Sequence, residues 1–411
     1  MVQLYSRVSR SLALPISTMP RFIIPLADKL NTSIGGVPET FTRNSTATYI
    51  EDGLVKTAEI DVPRFQNGRY LCEPTATNLI KNSQNLSLWS NSWSGGVTLT
   101  SGLDTIAGLP AFRLSQIDSI EDAIYGGDTS FLSLTAGTKY YTSLFIKNLN
   151  SVRCSVAFWD TAKLTMSILA IAWTGGVPST YSNPTTITEI TYTKLVGTDE
   201  YLVSFAYTVP AGSSTHRFLL FPEVSIVSTN SIIVTGVQLA TTLTSYIPTT
   251  TTPVTRAADV LHYAVGDVIT QGQGSLYCEL WDCNYTGLVR RILYLSDGTS
   301  SNRLYYYLKD TGDTLAVIGV TDGITVINTG AGTALSTLNK LLLSYENDSI
   351  KTYLNGILVN TETSGIIPTN FTTLSIGCSH DNILQLSSEV GNVKYFKEVL
   401  TEAQAIKLTT L

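Results

Sequence analysis

KLLLSYENDSIKTYLNGILVN, residues 340–360, decides the fold class. Leu341, Leu343 and Tyr345 alternate with other residues up to Asn347-Asp348. Ile350, Thr352 and Leu354 then lead into Asn355-Gly356, and Ile357 and Val359 follow. A period of two sets each group on one face of a strand. Asn-Gly between two such runs is the strongest short hairpin signal, because both central positions of a type I′ turn need φ > 0. The stretch is expected to be a three-stranded antiparallel meander.

The same period extends outward on both sides. GSLYCELWD (274–282), ILYLSDG (292–298), NRLYYYLKD (302–310) and TLAVIGVTDG (314–323) are further strand-like runs. Near the other end of this region, Thr401 and Gln404 stand at capping-box spacing, with Ala405, Ile406 and Leu408 able to face a core, so a short helix is expected there. Earlier in the chain, KYYTSLFIKN puts Tyr140, Thr142, Leu144 and Ile146 on one face. EYLVSFAYTVP does the same with Tyr201, Val203, Phe205 and Tyr207, and NSIIVTGVQLA (230–240) reads as another long strand. Helical periodicity is otherwise nearly absent. Residues 85–248 and 270–411 are therefore expected to form two antiparallel β-sandwiches in an all-β protein.

Between them runs TSYIPTTTTPVTRAADV, residues 244–260. Pro248, Pro253 and the β-branched threonines favour extended backbone, so residues 249–269 are expected to be a stiff connector, not a floppy tether. Arg256 and Asp259 are candidates to anchor that connector to the preceding module; simple solvation is the plain alternative.

Composition narrows the function classes. The 411 residues allow two or three domains, with 43% apolar but only 14% charged residues, against roughly 25% charged in an average chain. The polar surface must come mostly from Ser, Thr, Asn and Gly, which suits sugar-binding faces and virion proteins. A net charge of −6 without clustered Lys and Arg argues against nucleic acid as a partner. No stretch approaches the ~18 apolar residues of a membrane span, so membrane insertion is not expected. Cys72, Cys154, Cys278, Cys283 and Cys378 are widely spaced and form no CxxC pair. They read as small buried apolar groups in a protein assembled in a reducing cytosol. The opening residues 1–22 carry Arg7, Arg10 and Arg21, and the apolar run LALPI is too short for a signal peptide; they are expected to be an arm pinned by another body.

Three stretches carry a resemblance as a set. FTRNSTATYIEDGLVKTAEIDVPRFQNGRYLCEPTATNLIKNSQNLSLW (41–89) resembles a segment near the front of many tailed-bacteriophage structural proteins. The module ending in GVQLATTLTSYIPTTTTPVTRAADV resembles the carbohydrate-binding-module-like jelly roll that follows that segment. From about residue 270, LSYENDSIKTYLNGILV, SIGC and GNVKYFKEVLTEAQAIKL resemble a concanavalin A-like, laminin-G-type sandwich. The resemblance implies an extended docking segment over 23–84, a jelly roll over 85–248 and a laminin-G-like sandwich over 270–411. It implies a tail-fibre or head-fibre protein, exposed on the virion and assembled in the host cytoplasm. The arm would meet other virion proteins, trimers would be the common state, and host surface polysaccharide would be the ligand. Fold by itself does not give function, so a purely structural head-decoration or tail-scaffold protein without a ligand, and a glycan depolymerase, stand as the alternatives.

No catalytic constellation is present in the sequence. Phosphate-binding glycine loops, GxSxG and HExxH are missing, and His216, His262 and His380 lie far apart. Glu279 and Asp282 are three apart and would point to opposite faces of a strand; Glu121-Asp122 sit in a loop-like stretch. Neither resembles the two facing carboxylates of a glycosidase. Asp297, Asp310, Asp313 and Asp381 lie in turn-like stretches where such residues usually shape the turn. No catalytic group, metal or cofactor is expected.

Aromatic residues are the better candidates, since sugar rings stack on exposed aromatic faces beside a few placed polar groups. Trp93 in NSWSGG and Trp173 in AWTGGV flank glycines, and Tyr285 sits in CNYTG, so all three are expected in loops. Tyr305 and Tyr307 share one strand face, with Tyr306 on the other. These five are the candidate glycan-contacting residues. Trp159 and Trp281, within strand-like runs, are assigned to cores.

Overall fold

Alternation is translated into strands almost throughout, and Glu402–Thr409 is the one α-helix among the described residues. The computed structural model describes residues 19–31, 35–93, 96–126, 131–281, 289–309, 314–335 and 337–411. The chain divides into two compact units, each drawn from separated stretches: residues 41–260 with 385–387, and residues 1–40 with 261–384 and 388–411.

The unit built on residues 41–260 is a two-sheet antiparallel sandwich of the jelly-roll kind. One sheet runs in the order Ile187–Lys194, Tyr201–Thr208, Lys139–Asn148, Ser231–Ala240, Leu109–Gln116, Val97–Ile106. The other runs Val177–Ser182, Thr165–Thr174, Arg153–Asp160, Thr215–Phe221, Ala123–Tyr125, Ser90–Trp93, with Leu132–Ser133 also pairing to Thr215–Phe221. Tyr140, Leu144 and Ile146, together with Tyr201, Val203, Phe205 and Tyr207, face Val156, Phe158, Leu169, Ile171, Phe218 and Leu220 across one apolar core. The faces read from the alternation are the faces that are buried. Each large side chain in such a core contributes about 1.5–3 kcal/mol relative to exposure.

The other unit also packs two antiparallel sheets. One contains Ile357–Glu362, Ser349–Leu354, Asn339–Glu346, Gly274–Trp281 and Ser388–Phe396, with Phe22–Ile24 pairing onto the last. The meander forms as read: Leu341 pairs with Leu354, and Leu354 with Ile357 across Asn355-Gly356, whose φ values are +51° and +83°. The second sheet contains Val260–Ala264, Thr373–Ile376, Arg290–Ser296, Arg303–Leu308, Thr314–Thr321 and Ile324–Thr333. Thr401 caps the terminal helix, its hydroxyl accepting from Gln404 N while the Gln404 side chain returns to the Thr401 backbone.

The segments before residue 85 divide differently from the linear order read in the sequence. The described residues 19–31 and 35–40 belong with the C-terminal sandwich, where Phe22 pairs with Tyr395 and stacks on its ring at 5.4 Å. Residues 41–84 belong with the jelly roll. The Asn78 side-chain amide donates to Val237 O and Ile247 O while its carbonyl accepts from Leu239 N, so a single buried side chain fastens this segment to its neighbours. The stretch 244–260 is likewise built in: Val254–Arg256 pairs antiparallel with Ala76–Asn78, and Thr249 Oγ1 donates to Ile80 O. This pairing, and not proline geometry alone, holds residues 254–256 extended.

Candidate functional site

Strand Arg153–Asp160 shows how the site arises. Cys154, Val156 and Phe158 enter the core, so the pleat turns Arg153, Ser155, Ala157 and Trp159 to the opposite face. The neighbouring strand does the same: Leu169, Ile171 and Trp173 point in, while Met166, Ile168 and Ala170 point out beside Trp159, Ala157 and Ser155. Phe221 pairs with Ser155 on the other side, and Trp93 joins through Ala123. Small residues along the middle and large ones at the margins make a trough of about 540 Å³.

Trp93 and Trp159 form one wall, both half-buried, edge to face with centroids 5.4 Å apart. Tyr181, 59% exposed, stands on the other side with the Arg153 guanidinium carbon 3.8 Å from its ring centroid. On the floor, Ser155 is only 2% exposed and its hydroxyl has no hydrogen-bond partner. A buried polar group left unpaired costs free energy unless something binds there.

The backbone under Arg153 is fixed by a buried acid. Glu223 is fully buried and accepts from Val152 N, Ser151 Oγ, Val224 N, Ser225 N and Asn230 Nδ2. Burial would raise its pKa, but the hydrogen bonds from Ser225, Asn230 and the backbone outweigh that and hold it below the usual carboxylate range. Further along the same face, the Arg217 guanidinium lies over Tyr125 and Phe131, 4.5 and 4.8 Å from their centroids.

Of the described residues among the five glycan candidates, Trp93 is the one that lines this trough. Trp173 is not in a loop: it ends an alternating strand, is buried, and its Nε1 donates to Cys154 Sγ at 3.2 Å. Burial pushes the Cys154 thiol up to about 12 against that hydrogen bond. The other described cysteines, Cys72, Cys278 and Cys378, are also buried; Cys283 and Tyr285 lie outside the described residues. Tyr305 and Tyr307 share a face as expected, but only 3% and 8% of their surface is exposed. Tyr305 stacks on Tyr294 at 4.9 Å and is covered by Arg291, 4.3 Å from its centroid, so neither tyrosine offers a free face.

Trp159, assigned to a core by its place on a strand, instead faces outward. The correction follows from parity, since Phe158 already occupies the inward position. Trp281 is half-buried, and a side chain on Gly391 would collide with its ring. Asp297 shapes its turn by accepting from Thr299 N and Asn302 Nδ2; Asp310 and Asp313 lie outside the described residues. Among the described residues no group of three or more His, Cys, Asp or Glu is placed to hold a metal ion.

Arg256 and Asp259 belong to a second polar centre, which sequence reasoning found only in part. Asp259 accepts from Arg43 at 3.0 Å and from Arg64 at 2.5 Å, and Arg64 also bonds Glu73 at 2.7 Å. Arg256 stands 3.5 Å from both Glu73 and Asp259 and donates to Pro74 O. All five side chains are buried. Burial would raise the Glu73 carboxyl, but Arg64, Arg256 and hydrogen bonds from Ser245 hold it at about 2. The pair therefore anchors 256–259 chiefly to residues 43–74.

No protein-family model matches the chain, and no curated protein matches it. Among solved structures, it is similar to the CBM40 module of Ruminococcus gnavus IT-sialidase bound to α2,3-sialyllactose, with 16% identity over 34% of this chain and 84% of that one, TM-score 0.31. It is similar to domain 4 of AbnA, a GH43 extracellular arabinanase from Geobacillus stearothermophilus, in complex with arabinotriose: 11% identity, 37% of this chain and 73% of that one, TM-score 0.32. It is also similar to the leech intramolecular trans-sialidase, at 16% identity, 34% and 24% coverage and TM-score 0.30. Likenesses this distant bear on neither ligand nor residue roles.

Proposed function

We propose that the protein is a glycan-binding, non-catalytic component of a bacteriophage particle, and that the trough on the jelly roll is its sugar site. The observation that carries this reading is the meeting, in one cavity, of the Trp93 and Trp159 rings with the buried, partnerless hydroxyl of Ser155. Apolar walls with a few placed polar groups are what a sugar site requires, and about 540 Å³ lies within the range of small-ligand cavities. Glu121 is the one carboxylate among the described lining residues, whereas two-carboxylate glycoside hydrolysis needs a second about 5–9 Å away.

The setting on a virion rests on the 41–89 resemblance. In that setting a tail or head fibre would dock through residues 1–22 and other N-terminal segments, and several copies, three by analogy, would present their troughs to host surface polysaccharide. The test is binding of the purified protein to an array of bacterial surface polysaccharides. Wild-type binding that falls at least about tenfold in Trp93→Ala and Trp159→Ala, with unchanged melting cooperativity, supports the reading; each lost stacking contact is worth about 1–3 kcal/mol on the scale of aromatic–ring contacts. Absence of binding by the assembled protein would leave a purely structural role.

A further inference from the structure

Resting on the trough as a sugar site, we infer that its preferred sugar carries a carboxylate and that Arg153 selects it. Arg153 begins the outward face of its strand, and its guanidinium carbon lies over the Tyr181 ring, 3.8 Å from the centroid. Stacking leaves the N–H edge available, and that edge makes no ion pair or hydrogen bond with another described residue. A guanidinium edge matches a carboxylate with two parallel hydrogen bonds, a fit that neutral hydroxyls do not reproduce.

The surrounding charges leave this role open. Glu223, the acid nearest in the backbone network, is saturated by donors from Val152, Ser151, Val224, Ser225 and Asn230, so its oxygens are committed to the loop. Glu121 also lines the trough, but it is exposed and its charge is screened by water. Arg153 is half-buried at one end of a trough lined mostly by apolar side chains, where charge interactions are stronger.

Spacing supports the same assignment. Ser155 lies two residues along on the same face, about 6.6 Å away at Cα by strand geometry. Its orphaned hydroxyl and the Arg153 fork can therefore reach separate oxygens of a single acidic sugar. Trp159 lies six residues further along the strand, about 20 Å from Arg153 at Cα, so the aromatic wall at Trp93 and Trp159 would take a neighbouring sugar of the same glycan. Arg153 is thus a specificity-determining residue, and Tyr181 positions it.

The experiment titrates the full chain by calorimetry with matched sugars: lactose against 3′-sialyllactose, and galactobiose against digalacturonic acid. The acidic member of at least one pair is expected to bind ten-fold or more tightly, as hydrogen bonds to charged groups allow. Arg153→Gln should remove that difference by weakening the acidic sugar at least ten-fold more than its neutral partner, and Tyr181→Ala should likewise weaken the acidic sugar more than the neutral one. Both residues are at the surface of the trough, so a folded variant is readily checked by its melting curve. Equal binding of neutral and acidic sugars, or an acidic preference that survives Arg153→Gln, overturns the inference and leaves the sugar site standing. Binding of neither kind by the wild type removes the sugar site and the inference together.

Discussion

At the scale of single residues, Ser155 separates stability from binding. Its hydroxyl is buried, lines the trough and finds no partner. Ser155→Ala removes an unsatisfied group, so stability should hold or rise by up to about 1 kcal/mol in urea unfolding. Affinity for the trough's sugar should fall by about three- to ten-fold in the same variant. A loss of stability with unchanged affinity would assign the hydroxyl to the fold. Residue parity also explains what could be read beforehand. Phe158 and Trp159 are adjacent on a strand, so one must face out, and the inward set Cys154, Val156, Phe158 names Trp159 as the outward one. That signal was in the sequence. Trp173 was misread because its flanking glycines suggested a loop, whereas they follow the strand that carries it inward.

At the scale of elements, the meander and the capped terminal helix were legible because their determinants are local. Asn355-Gly356 sets the turn, and Thr401 with Gln404 closes the helix start. The stretch 244–260 was legible only as extended, because its partners lie 176 to 216 residues earlier: Val254–Arg256 on Ala76–Asn78, and Asp259 on Arg43 and Arg64. Long-range ion pairs leave no periodic trace. They do leave a pH signature. Glu73 is held at about 2 in the folded state, below the usual unfolded value of about 4.3, so its contribution is fully present above the unfolded value and is lost as pH falls toward about 2. Urea unfolding of the wild type should therefore weaken steeply between about pH 4.5 and 2. Glu73→Gln should cost about 3–5 kcal/mol at pH 7, because Arg64 and Arg256 lose a buried counter-charge, and should flatten the acid slope. An unchanged slope would mean that the five-charge centre is not what fails in acid.

At the scale of the whole molecule, the proposed role in attachment has to be reconciled with the shape of the trough. The trough is open, and its walls are few rings and short polar groups, so a single sugar fragment gains little beyond the cost of immobilising it. Several copies on one particle change that arithmetic, since after the first contact each further one is effectively intramolecular. Light scattering of the purified protein should then give a mass that is a multiple of 44.5 kDa, three-fold on the trimer reading. Surface plasmon resonance on immobilised polysaccharide should give an apparent affinity about 10²–10⁴ times that of the soluble fragment, and the gain should vanish at low ligand density. Trp159→Ala should reduce the surface-bound affinity by more than it reduces the fragment affinity, because the loss recurs in every engaged copy. A single 44.5 kDa species with equal affinity for fragment and surface would defeat the multivalent reading, and would require each trough to hold its ligand strongly on its own.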